Sequence, residues 1–175
     1  MRTSLFLIIL AGFLTACSQG SGTDGNNDRS EKKIRKEVLA IAENYATNNL
    51  TDAKKTVMED GIITLGNEQK MYVIDPAKVF IGFIDKDSCQ DAIVSLFPYQ
   101  GNYEVTTEHL LIIQTDGKFM LIRALESDMR VLNIKDGVIT AEIPEHLRNS
   151  PLFNCPSCWE VVKFQFREGD LVRME

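Results

Sequence analysis

Apolar and polar positions divide the chain into three regimes. Leu5 to Leu14 is a nearly unbroken apolar run of about ten residues, too short to span a bilayer as a helix. Ser18 to Ser30 reads SQGSGTDGNNDRS, without one aliphatic side chain, and predicts a flexible tether that cannot bury surface. Ile34, Val38, Ile41, Ala42 and Tyr45 then recur at helical spacing. They predict one amphipathic helix, with Ser30 able to cap its start, Glu31 and Arg35 paired at i, i+4, and an end near Asn48-Asn49. Thr51 or Asp52 would open a further short turn.

Beyond the helix the period shortens to that of strands. Asp60-Gly61, Asp116-Gly117, Asp136-Gly137 and Glu168-Gly169 each interrupt apolar or alternating runs, as hairpin turns do. Strands are predicted at about Gly61 to Leu65, Lys70 to Ile74, Lys78 to Ile84, Asp91 to Phe97, Glu108 to Gln114, Lys118 to Leu125, Met129 to Ile134, Val138 to Ile143, Trp159 to Phe166 and Asp170 to Arg173. Leu110 to Ile113 and Phe119 to Ile122 are continuously apolar, so both strands should be covered on both faces, one by the helix and the other by more sheet. The expected fold is α+β, mainly antiparallel β, with the N-terminal amphipathic helix packed on a curled sheet or compact sandwich. Residues 31–175 would form a single globular domain. Phe97, Tyr99 and Tyr103, around Pro98 and Gly101, are expected in the longest connection, as a packed loop or a binding surface.

The first regime acquires chemistry from its flanks. Met1-Arg2-Thr3-Ser4 supplies a short positive start, and Leu14-Thr15-Ala16-Cys17 closes the apolar run. This tetrapeptide resembles the lipobox of bacterial lipoproteins, an aliphatic residue and two small ones before a cysteine. The resemblance implies that residues 1–16 are a signal peptide, that Cys17 carries a thioether-linked diacylglycerol, and that the freed amine is acylated. A thiolate is the nucleophile such a modification needs, and small side chains fit beside the cut. Two or three acyl chains hold almost irreversibly, so the mature protein would be anchored to the cell envelope and would not span it. By the sorting rules of enteric bacterial lipoproteins, the resemblance implies that Ser18 after the cysteine, rather than Asp, favours the outer membrane over the inner one.

Charge narrows the partners. Removing Arg2 from the 19 basic residues leaves 18 against 25 acidic ones, a formal charge of −7. No basic patch stands out, which disfavours nucleic acid and close approach to anionic lipid, and leaves Cys17 as the membrane contact. Cys89, Cys155 and Cys158 remain for an oxidising compartment, enough for one disulfide in any of three pairings.

Ile81-Gly82-Phe83-Ile84-Asp85-Lys86-Asp87-Ser88-Cys89-Gln90-Asp91-Ala92-Ile93-Val94 resembles the calcium-binding segments of bacterial exported proteins related to FG-GAP and dockerin-type loops. The resemblance puts Asp85, Asp87 and Asp91 at ligand positions. Phe83 stands where a first aspartate belongs, and Lys86 and Ser88 replace glycines, which weakens a site that must supply six to eight oxygens. Met58 to Ile62, Ile134 to Ile139, Cys155-Pro156-Ser157 and Glu168 to Val172 follow in the order found in a group of uncharacterised bacterial exported proteins, a resemblance that carries no activity. Cys89 and Cys158 fall outside that group's pattern, which favours their pairing, with Cys155 to Cys158 close behind.

Cys155-Pro156-Ser157-Cys158 has the spacing of a redox motif, but strand-like residues follow it where a catalytic pair would have a helix N-terminus. A structural disulfide or a metal clip is the simpler reading. His109 is expected on a strand surface and His146 in the loop between Pro144 and Pro156, neither with a partner at metal-ligand or triad spacing. The acidic residues read as a solvated face. No catalytic residues emerge. The sequence thus points to a membrane-anchored, non-catalytic binding or envelope-associated domain whose ligand is a protein or small molecule. The alternative is an exported thiol-redox protein, or a hydrolase whose carboxylates converge only in three dimensions.

Overall fold

The computed structural model describes residues 25–144, apart from 86 and 102, and residues 159–175; for residues 25–29 and 104 it describes the backbone alone. In chain order the elements are α1 (Gly25–Asn48), β1 (Lys54–Val57), β2 (Ile63–Gly66), β3 (Lys70–Gly82), β4 (Asp91–Gln100), β5 (Tyr103–Glu104), β6 (Glu108–Thr115), β7 (Lys118–Glu126), β8 (Arg130–Lys135), β9 (Val138–Pro144), β10 (Trp159–Arg167) and β11 (Asp170–Arg173). The chain is α+β and mainly antiparallel β, with the helix packed on a sheet, as the pattern of apolar positions predicts.

The strands form two sheets. The larger runs β1-β2-β3-β4-β6-β7, with β5 paired to β4, and the smaller runs β11-β10-β9-β8. Alternation along β4 and β6 assigns their two faces. Ala92, Val94, Leu96, Leu110 and Ile112 meet Ile34, Val38, Ala42 and Ala46 of α1. Ile93, Leu111 and Ile113 meet Val131, Ile139, Ala141 and Val162 of the smaller sheet. The unbroken apolar run of β6 is therefore covered on both sides, and its residues 110–113 are all buried.

For β7 the same expectation fails. It is an edge strand, tied to β11 of the smaller sheet by the Arg123–Asp170 ion pair (2.9 Å), yet Met120 and Ile122 remain 52% and 42% exposed while Phe119 and Leu121 pack under α1. The Asp116-Gly117, Asp136-Gly137 and Glu168-Gly169 turns close two-residue hairpins with positive φ at both central positions, the geometry that matches strand twist. Asp60-Gly61 lies instead in a longer connection between β1 and β2.

Three boundaries differ from expectation for local reasons. α1 begins at Gly25, so Ser30 lies inside the helix and does not cap it. The strands expected on either side of Asp75-Pro76-Ala77 are one strand, β3, with its register shifted between Ile74 and Val79. The irregularity is sealed from above by Arg35, whose Nη1 donates to the carbonyls of Pro76 (2.8 Å) and Val79 (3.0 Å). Phe97 and Tyr99 lie within β4 and Tyr103 within β5, so the aromatic cluster belongs to a hairpin and forms no long loop. β1 escapes sequence patterning because all four of its residues are exposed.

Sheet packing depends on one glycine. A Cβ on Gly82 would lie 2.6 Å from Ile134 Cγ2 and 2.9 Å from the Ile134 carbonyl oxygen, so only glycine lets β3 and β8 cross at this distance.

Candidate functional site

The turn between β3 and β4 brings Asp85, Asp87 and Asp91 together, with carboxylate oxygens within 4.8 Å of one another. Local hydrogen bonds build it. Asp85 Oδ1 accepts from the Asp87 amide at 3.1 Å, and Asp87 Oδ1 from the Cys89 amide at 2.6 Å, two successive Asx turns. Asp91, wholly buried, closes the turn from the sheet side: Oδ2 accepts from the amides of Ile84 (2.7 Å) and Asp85 (3.4 Å), and Oδ1 from Gln114 of β6 (3.0 Å).

Burial pushes the Asp91 carboxyl up to about 6, against the opposing pull of the Gln114 and Ile84 amides, and the nearby Asp85 charge adds to the rise. Asp85 is also raised, chiefly by burial and further by Asp87. Carboxylates crowded and desolvated in this way gain from a hard cation. Three carboxylates provide part of the six to eight oxygens calcium takes, and backbone carbonyls and water would have to complete the shell. The three carboxylates are donors of the kind a hard cation takes, with Asp85 and Asp87 the more accessible and Asp91 the anchor of the turn.

Two buried polar clusters went unread in the sequence. The expectation that the acidic residues form a solvated face fails at Asp91 and at Glu108, which is 6% exposed. Glu108 accepts from the hydroxyls of Tyr45 (2.8 Å) and Tyr72 (3.1 Å), and Lys70 Nζ donates to the Tyr72 hydroxyl at 2.6 Å while lying 3.9 Å from the carboxylate. Helix, β3 and β6 each contribute to this knot, and neither period nor spacing links residues so far apart in the chain.

His109, expected on a strand surface, is 1% exposed. Its Nε2 lies 3.3 Å from the Ser127 carbonyl and Nδ1 3.0 Å from Ser95 Oγ. A carbonyl only accepts, so Nε2 carries the proton and Nδ1 receives the Ser95 hydroxyl. Burial lowers the His109 pKa, which keeps the ring neutral. Ser95 is 4% exposed, so this serine and histidine are sealed from substrate.

Cys89 is buried and disulfide-bonded, to a partner outside the described residues. Cys17, His146, Cys155 and Cys158 also lie outside them. An open groove of about 690 Å³, floored by Thr56, Thr64, Gly66 and Met71, lies at the other end of the larger sheet from the aspartates. No protein-family model matches the chain, and neither a curated protein nor a solved structure matches it.

Proposed function

We propose that this chain is a bacterial lipoprotein, cleaved before Cys17 and held to the cell envelope by acyl chains, with a non-catalytic domain that binds a protein or small-molecule ligand. The observation that carries this reading is Leu14-Thr15-Ala16-Cys17 placed directly after the apolar run. Ser18 favours the outer membrane. Among the described residues no helix is long and apolar enough to cross a membrane. We read the β portion as a compact two-sheet sandwich, a form supported by the apolar cluster that Ile93, Leu111, Val131 and Ile139 share. Mass spectrometry of the mature N-terminus tests the proposal: diacylglyceryl on Cys17 is expected, and Cys17→Ser should move the protein from membranes to the soluble fraction. An unmodified Cys17, or unchanged fractionation of Cys17→Ser, would overturn it.

A second reading, favoured by the convergence of Asp85, Asp87 and Asp91, is that the β3–β4 turn binds calcium weakly. Calorimetric titration should show binding that Asp85→Asn abolishes. Absence of heat and of any melting shift at millimolar calcium would end this reading.

A further inference from the structure

The first exposed turns of α1 carry a charge opposite to that of the chain. Residues 25–37 contain five basic residues, Arg29, Lys32, Lys33, Arg35 and Lys36, against three acidic ones, Asp28, Glu31 and Glu37, in a chain of formal charge −6. Arg35 is committed to the β3 carbonyls and to Glu31. Lys32, Lys33 and Lys36 are exposed, and at 3.6 residues per turn they share an arc of about 100°. That arc lies opposite Ile34, Val38 and Ala42, which face the sheet.

Structure alone does not account for these lysines. Lys32 and Lys36 make no ion pair among the described residues, and at i, i+4 they repel each other. Lys33 reaches only Glu37, at 3.9 Å and exposed. Because α1 starts at Gly25, the stretch between Cys17 and the helix is shorter than the sequence implies: residues 18–24, whose full extension is about 25 Å. Lys32 lies about 10 Å further along the helix. An anchor at Cys17 therefore holds the three lysines within reach of the headgroups, and averaging charge over the whole chain conceals this.

We propose that Lys32, Lys33 and Lys36 form a basic face that docks on anionic phospholipid headgroups beside the acyl anchor. This rests on the reading of Cys17 as the lipidated residue. A lysine near an anionic surface contributes about a fivefold gain in partitioning, so three contribute on the order of a hundredfold. The gain should fall as salt shortens the screening length.

The test uses the mature-length chain carrying Cys17→Ser, so that no acyl chain contributes, with phosphatidylcholine vesicles and with vesicles containing 30 mol% phosphatidylglycerol. Cosedimentation at low salt should show binding to the anionic vesicles only, on the order of a hundredfold weaker for K32Q/K33Q/K36Q, whose melting should match the parent's. Equal partitioning onto both vesicle types, or undiminished binding of the triple variant, would overturn the proposal. So would capture by duplex DNA without vesicle binding, which would assign the face to another polyanion. Failure of Cys17 acylation appears in the mass of the native protein, so the two readings can fail separately.

Discussion

Replacing Glu108 by alanine removes the acceptor on which two tyrosine hydroxyls converge. Tyr72 is 1% exposed, and its hydroxyl already receives Lys70 Nζ, so without Glu108 its own proton has no acceptor. A buried donor left in that state costs about 1–3 kcal/mol. Tyr45 is half-buried and can turn to water, so its loss adds about 1 kcal/mol, and the exposed side of Lys70 adds little. Relief from desolvating the carboxylate offsets part of this, and a net cost of about 3 kcal/mol is expected. At about 2–4 °C per kcal/mol for a domain of this size, melting should fall by roughly 6–12 °C. Glu108→Gln keeps one acceptor and a donor that Tyr45 can accept, so it should cost only about 1 kcal/mol. Urea unfolding followed by circular dichroism measures both. A Glu108→Ala and Tyr72→Phe double-mutant cycle should give a coupling above about 1 kcal/mol. Zero coupling, or a Glu108→Ala protein within about 0.5 kcal/mol of the parent, would refute the account of this knot.

The Asp91 carboxyl titrates near 6 when folded and near 3.8 when unfolded, so ionising it opposes folding. Its unfavourable contribution is present above pH 6 and is relieved as pH falls from 6 to 4; Asp91→Asn should remove that component. Parallel urea midpoints for parent and variant across this window would show the assignment to be wrong. Gly82→Ala should destabilise by about 3 kcal/mol through the clash with Ile134, at the upper end of overpacking costs. Trimming Ile134 to alanine should not restore stability, because the carbonyl oxygen 2.9 Å away remains; recovery in urea unfolding would place the conflict in the side chain alone.

Much of the fold was legible because its information is local. Ile34, Val38 and Ala42 recur on one helix face, and the Asp-Gly and Glu-Gly pairs state where strands reverse. The double coverage of β6 followed from four consecutive apolar residues. The same inference failed for β7, since a run of apolar residues cannot say whether its strand will be central or at an edge. Asp85, Asp87 and Asp91 were found because one turn holds all three. Glu108 was missed because its partners lie 36 and 63 residues away, and a lone glutamate before an apolar strand looks like any solvated acid. His109 was misplaced for a related reason: Ser95 becomes its neighbour only once β4 and β6 have paired, and Ser127 only once β6 and β7 have.

The unread contacts change how α1 should be regarded. Apolar packing alone would leave the helix free to slide along the sheet, since one turn of small residues such as Ala42 and Ala46 resembles the next. Arg35, fixed to the carbonyls of Pro76 and Val79, and Tyr45, fixed to Glu108, pin it at two points about 15 Å apart. The helix axis is then tied to the larger sheet, with its C-terminal end at the Glu108 end of that sheet. Its N-terminal end lies toward the other end, where β3 turns into β4 through the Asp85 to Asp91 segment.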